Sequence, residues 1–219
     1  MSNLTLIIGN KNYSSWSLRP WVLMKQNNIP FDEIRVPLFT ETTNNELAEY
    51  NSDSKVPVLK DGDLVIWDTL AILEYLSEQY LDHAGWPREV HARAIARSVS
   101  AEMHSSFSNL RNELPMNCRK QFFDIVLSDD AKIEIERVLS LWRQCRSNFG
   151  KKGEWLFGDY SIADAMFAPI ALRLHGYNIQ LVGIESEYVN SVLNQPCIME
   201  WIETGKLEKE IILEDEIDV

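Results

Sequence analysis

The sequence predicts an α/β unit followed by an all-helical one. Three observations carry this. Strand-like and helix-like stretches alternate as far as Tyr80. A segment punctuated by Gly and Pro, His83-Ala84-Gly85-Trp86-Pro87, interrupts them. Beyond it, apolar residues recur at helical spacing. The expected division is a first domain over 1–82, a linker over 83–87 and a helical domain over 88–219.

In chain order, Leu4-Thr5-Leu6-Ile7-Ile8 reads as a buried strand. A helix ending near Gln26 follows, and Pro20 argues for a start near Ser17, which puts the proline in the first turn where no N–H is needed. Pro30 to Val36 alternates like a half-exposed strand, and Glu41 to Tyr50 suits a short irregular helix. Val56–Leu59 and Leu64–Trp67 flank Asp61-Gly62, a strong hairpin signal. Asp68 or Thr69 then opens a helix whose apolar face is Leu70, Ile72, Leu73, Leu76 and Tyr80. The order is β-α-β-α-β-β-α. Past the linker, one long helix is expected over Arg88–Leu114 and another over Ile133–Phe149. Ser161 and Asp164 form a capping box ahead of a helix to Leu174, apolar on most sides. A further helix should run from Pro196 to about Leu207. The tail, Glu208–Val219, should pack through Ile211, Ile212 and Leu213 and fray at its acidic end.

Composition narrows the function. The 219 residues are 45% hydrophobic and 25% charged, as in an ordinary globular protein with a sizeable core. A net charge of −12 argues against a nucleic-acid partner, which needs a concentrated basic surface. No apolar run approaches the ~20 residues that cross a bilayer, and no basic leader with an apolar core stands at the start. Cys118, Cys145 and Cys197 are widely spaced, which fits a reducing cytoplasm. The histidines lack ligand spacing, and no Walker, His-Glu-x-x-His or Gly-x-Gly-x-x-Gly motif occurs, so no metal or nucleotide is expected.

The chemistry-bearing stretch is Asn12-Tyr13-Ser14-Ser15-Trp16-Ser17-Leu18-Arg19. Ser14 and Ser15 stand just ahead of a helix N-terminus, where free N–H groups and the dipole stabilise an anion. A serine there is also a preferred cap, and on this stretch alone capping is the more economical reading. Further on, His104, Phe107 and Arg111 fall on one face of the predicted long helix at steps of three and four. They suit either a binding wall or a core residue flanked by partly exposed polar ones.

Taken together, the pieces resemble the glutathione transferase family over essentially the whole chain. Tyr13-Ser14-Ser15-Trp16-Ser17-Leu18-Arg19 resembles the serine motif of its zeta class (Ser-Ser-Cys-Ser-x-Arg), to which the maleylacetoacetate isomerases belong. Lys55-Val56-Pro57-Val58-Leu59 resembles the strand motif whose proline is cis in that family, and Asp68-Thr69-Leu70-Ala71-Ile72 the Glu/Gln-Ser-x-Ala-Ile motif. Ser161–Asp164 resembles the family's folding motif. The resemblance implies a thioredoxin-like first domain, an all-helical second one, a homodimer and glutathione as co-substrate. It makes Ser15 or Ser14 the hydroxyl that stabilises the glutathione thiolate; alignment from Arg19 favours Ser14, nearness to the helix Ser15. Val56 would pair with the cysteinyl backbone beside Pro57, while Asp68 and Thr69 would hold the γ-glutamyl end. Lys55 would reach the glycyl carboxylate, or simply be solvated. Trp16, His104, Phe107 and Arg111 would face a small electrophile, acidic if Arg111 receives it. Trp16 stands where the zeta pattern has cysteine, so strict isomerase chemistry does not follow. The implied function is transfer of glutathione to an electrophile, with a glutathione-dependent cis–trans isomerase as alternative. A second alternative is a non-catalytic interaction protein resembling the stringent starvation proteins.

Overall fold

Strand β1 (Leu4–Ile8) lies inside a four-stranded sheet of order β2-β1-β3-β4, with β2 (Asp32–Arg35), β3 (Val58–Asp61) and β4 (Leu64–Trp67). The computed structural model describes residues 4–50, 53–151 and 153–217. Residues 1–3 and 218–219, the outer ends of the expected domains and of the tail, lie outside the described residues. β1 runs parallel to β2 and antiparallel to β3, which pairs antiparallel with β4. The alternation of β1 serves two faces. Leu4, Leu6 and Ile8 enter the main core, while Ile7 joins Val36, Leu47 and Val58 in a smaller one. Helices α1 (Ser15–Gln26) and α3 (Thr69–Tyr80) pack together on the main-core side, and α2 (Thr43–Ala48) brings Leu47 to the other.

The hairpin forms, but its tip is Gly62-Asp63, because Asp61 already pairs with Leu64. Gly62 has φ 58°, the left-handed conformation that such a tight turn needs at its first position. The Val56–Pro57 peptide is cis.

The helical part comprises α4 (Val90–Ser105), α5 (Ser108–Glu113), α6 (Asp129–Asn148), α7 (Ile162–Gly176), α8 (Gly183–Leu193), α9 (Pro196–Lys206) and a short 3-10 turn at Leu213–Asp215. Its spine is α7, buried along its length except at His175 and packed against α1 and α4. The capping box at its start is present, with the Asp164 carboxylate accepting from the Ser161 N–H at 2.9 Å and the Leu156 N–H at 3.0 Å. Among the described residues no helix is long and apolar enough to cross a membrane.

Four expectations need correction. Helix α1 begins at Ser15, not near Ser17, so Pro20 sits beyond the first turn and leaves the Trp16 carbonyl without its usual donor. The Thr69 hydroxyl supplies one, at 3.2 Å. The long helix over Arg88–Leu114 is two. Phe107 takes a left-handed φ of 64° and turns its ring into the core, and Glu134 from α6 caps α5 through the Leu110 N–H at 2.7 Å and Asn109 at 3.0 Å. His104, Phe107 and Arg111 therefore do not share one helix face. Helix α8 was not expected at all. Its five apolar residues, Ile184, Tyr188, Val189, Val192 and Leu193, recur at helical spacing among Glu185, Glu187 and Asn190, and Tyr188, Val189 and Val192 are buried. Finally, the tail is held mainly by its acids. Ile212 is buried but Ile211 and Leu213 are exposed, while Glu208 and Glu216 are tied to the loop before α1.

Candidate active site

A cavity of about 910 Å³ opens between the sheet edge, the α2 region and α4. Six of the residues singled out from sequence line it: Trp16, Lys55, Val56, Pro57, Asp68 and His104. Val56 and Pro57 arrive there because they precede the ladder, whose first rung on β3 is Val58. Asp68 arrives as the N-cap of α3. Its backbone has φ 73°, rare for a residue with a side chain, and one carboxylate oxygen holds it by accepting from the Leu70 N–H at 2.9 Å and the Ala71 N–H at 3.1 Å. Its other oxygen lies 3.1 Å from His104 Nε2 on α4. The edge of the sheet unit is thereby tied to the helical unit across the cavity, and the Trp16 and His104 rings meet edge-on at 5.3 Å.

Ser14, Ser15, Thr69, Phe107 and Arg111 do not line the cavity. Phe107 belongs to the core. The Thr69 hydroxyl is committed to the Trp16 carbonyl. Arg111 stands behind the indole of Trp16, with its guanidinium 5.4 Å from the ring centre.

The two serines differ. Ser14 is the N-cap of α1: its oxygen accepts from the Ser17 N–H at 3.4 Å and its proton goes to Ser17 Oγ at 2.8 Å. Ser17 Oγ accepts in turn from the Gly9 N–H at 3.1 Å. Ser15, one residue into the helix, accepts a hydrogen bond from Arg173 Nη2 at 3.2 Å, and its carbonyl accepts from Arg19 Nη1 at 3.2 Å. The neighbouring phenol, Tyr13, donates instead to Glu216 of the tail at 2.5 Å and is capped by Arg119. Burial and that carboxylate both push the Tyr13 pKa up, so it is a poor proton donor to a ligand.

Sequence reading assigned no role to Arg19 and did not reach Arg173. Both are buried, and neither forms an ion pair with a carboxylate among the described residues. Burial lowers the pKa of Arg173 to about 10, with Asp215 and Tyr177 pulling the other way and Arg111 adding a smaller push. Burial with repulsion from Arg173 and Arg111 lowers that of Arg19 well below its usual value. A signal existed for Arg173: an arginine inside a helix predicted to be apolar on most sides is a buried charge, and such charges need a reason. For Phe39, Thr40, Asn44, Ser54 and Trp67, which also line the cavity, the sequence carried no signal.

Residues 13–79 match the family model described as glutathione S-transferase, N-terminal domain. A zeta-class glutathione S-transferase from Euphorbia esula is 31% identical over 174 residues, covering 77% of this chain and 76% of that protein. A probable maleylacetoacetate isomerase from Caenorhabditis elegans is 27% identical over 185 residues, covering 83% and 84%. A stringent starvation protein A homologue from Haemophilus ducreyi is 20% identical over 80% of this chain and 77% of its own length. Among solved structures, a glutathione transferase homologue from Burkholderia with bound glutathione superposes with TM-score 0.70 at 23% identity, over 94% of this chain and 99% of that one. It shows the same architecture, a small four-stranded thioredoxin-like unit followed by a helical one.

Proposed function

Because this chain belongs to the glutathione S-transferase family of enzymes, we propose that it binds glutathione in the 910 Å³ cavity, stabilises the thiolate with the Ser15 hydroxyl and transfers it to a small electrophile. The observation that carries this reading is the convergence of Val56-Pro57, Asp68 and Trp16 on one cavity beside the N-terminus of α1. Glutathione presents two carboxylates, an ammonium and a thiol. The backbone of Val56 suits the cysteinyl segment as an added strand. The Asp68 carboxylate suits the ammonium, the Thr69 N–H at the opening of α3 suits the γ-glutamyl carboxylate, and Lys55 suits the glycyl one. A free thiol has a pKa near 8.5, so little is thiolate at neutral pH. A hydroxyl donor at a helix N-terminus, with buried guanidinium groups close by, favours the charged form. The thiolate then forms an S–C bond with the electrophile, whose leaving group departs or whose double bond takes up a proton. His104 and Trp16 form the wall that the electrophile meets, with Arg111 behind it. The reading includes a cytoplasmic homodimer whose glutathione unit spans 1–82 and whose helical unit follows the 83–87 linker.

The similarity to a probable maleylacetoacetate isomerase favours one second reading, in which the same thiolate adds to and leaves a double bond. Turnover of a maleyl keto acid without net loss of glutathione selects it. Calorimetric titration with glutathione tests both. A dissociation constant of about 1 mM or tighter is expected. Absence of binding removes both and leaves the interaction protein suggested by the Haemophilus ducreyi relative.

A further inference from the structure

Arg173 is an unusual residue for its place. It is 6% exposed in the last turn of α7, a helix whose other side chains are apolar apart from Asp164 in the first turn and His175, and no carboxylate pairs with it among the described residues. Its Nη1 donates to the carbonyls of Arg111, at 2.9 Å, and Leu114, at the C-terminal end of α5. Its Nη2 reaches across the domain boundary to Ser15 Oγ at 3.2 Å. A helix C-terminus is a favourable seat for a cation. A seat alone does not explain why one arm of the fork goes to a serine hydroxyl.

The direction of that bond is forced. A guanidinium has donors and no acceptor, whereas a hydroxyl has one proton and two lone pairs. Ser15 must therefore accept from Arg173, which leaves its single proton for another partner. Ser14 is the opposite case, since its proton is spent on Ser17. We propose that Arg173 is a positioning residue for the thiolate chemistry: its guanidinium occupies the acceptor side of the Ser15 hydroxyl, turns the Ser15 proton toward the glutathione sulfur and polarises the O–H bond as a donor. The inference rests on the functional reading above and deepens it.

The surroundings support an anion there. Arg19 on α1 lies with its guanidinium 4.2 Å from the Trp16 ring centre, and Arg111 on α5 lies 5.4 Å from it. Each of Arg19, Arg111 and Arg173 keeps one buried nitrogen without a hydrogen-bond partner among the described residues. Asp215 in the tail acts on Arg173 through space, as does Tyr177 beyond the end of α7, and Glu134 acts so on Arg111. None of the three closes an ion pair with the cluster among the described residues. Excess positive charge in a low-dielectric interior lowers the pKa of a thiol beside it.

The test is the ultraviolet thiolate absorbance of bound glutathione against pH in the whole protein, for Arg173→Met and Arg173→Lys, each with Ser15 intact and in a Ser15→Ala background. With Ser15 present, Arg173→Met is expected to raise the thiol pKa by about one unit, which is about tenfold less thiolate near neutral pH. Arg173→Lys keeps the charge but offers one nitrogen where the guanidinium uses two. It is expected to leave roughly threefold less thiolate, and it carries the test if the Met variant does not fold. In both, kcat should fall while KM for glutathione stays within about twofold, a split that general unfolding does not produce. In the Ser15→Ala background the Lys shift should vanish and the Met shift should shrink to its smaller through-space part, because the route through the hydroxyl is missing. An equal shift in both backgrounds, or no shift in either, overturns the inference while glutathione binding still stands. Failure of the wild type to bind glutathione overturns the functional reading and this inference with it.

Discussion

At the scale of single residues, the site is decided by where protons go. Ser14 and Ser15 are chemically identical neighbours, yet one is absorbed into a cap and the other accepts from a guanidinium while its proton goes to no partner among the described residues. Ser15→Ala is expected to lower turnover by about 10- to 100-fold, the value of a hydrogen bond to a charged sulfur, with a smaller effect on stability. Ser14→Ala should instead show in urea denaturation, costing about 0.5–2 kcal/mol as a lost cap. The reverse pattern in the pair would make Ser14 the donor. Thr69 illustrates the same economy. Its hydroxyl satisfies the Trp16 carbonyl that Pro20 leaves open, so a proline beyond the first turn is tolerated because another element supplies the hydrogen bond.

At the scale of elements, α7 and α5 show what periodicity can and cannot say. The capping box and the apolar run of α7 were readable, because both are local and repeat at the helical period. The cost of burying the box was not. Burial raises the Asp164 pKa to about 6, against the pull of the Leu156 and Ser161 donors. An acid whose folded pKa lies above its unfolded value binds its proton more tightly when folded. Its contribution to stability is therefore fullest below about pH 4 and declines as pH rises toward 6. Compared with Asp164→Asn, the wild type should lose stability over that window, as followed by thermal melts at matched ionic strength. Parallel curves would remove the titration from Asp164. The break between α4 and α5 was unreadable for the converse reason: His104, Phe107 and Arg111 keep perfect helical spacing, and the acid that caps the first turn of α5, Glu134, stands 27 positions after Phe107 in the chain.

At the scale of the whole molecule, the tail closes the architecture. Glu208 accepts from the backbone N–H groups of Lys11 and Asn12 at 2.8 and 3.1 Å, and Glu216 holds Tyr13, Asn117 and Lys120. Arg119 binds the Glu208 and Glu210 carbonyls at 2.8 Å each. Segments about two hundred positions apart thus grip the loop that delivers Ser14, Ser15 and Trp16. Glu208→Ala should cost about 1–3 kcal/mol, because two backbone donors lose a charged acceptor, and should weaken glutathione affinity through the loosened loop. A midpoint in urea within error of the wild type would refute that strap.

The sequence by itself determined the β-α-β-α-β-β-α order, the division into a sheet unit and a helical unit, the family and six of the cavity's residues. These features rest on local periodicity, turn chemistry and short motifs, each contained in a few neighbouring positions. Tertiary structure alone decided which serine keeps its proton, that Phe107 leaves the site for the core, that Arg111 stands behind Trp16, and that acids rather than Ile211 and Leu213 anchor the tail. Each of those outcomes depends on a partner far away in the chain, Arg173 for Ser15, Glu134 for α5 and Tyr13 for Glu216. Hydrogen bonds and desolvation act over a few ångströms of space, and a linear sequence does not record which distant side chains will be that close.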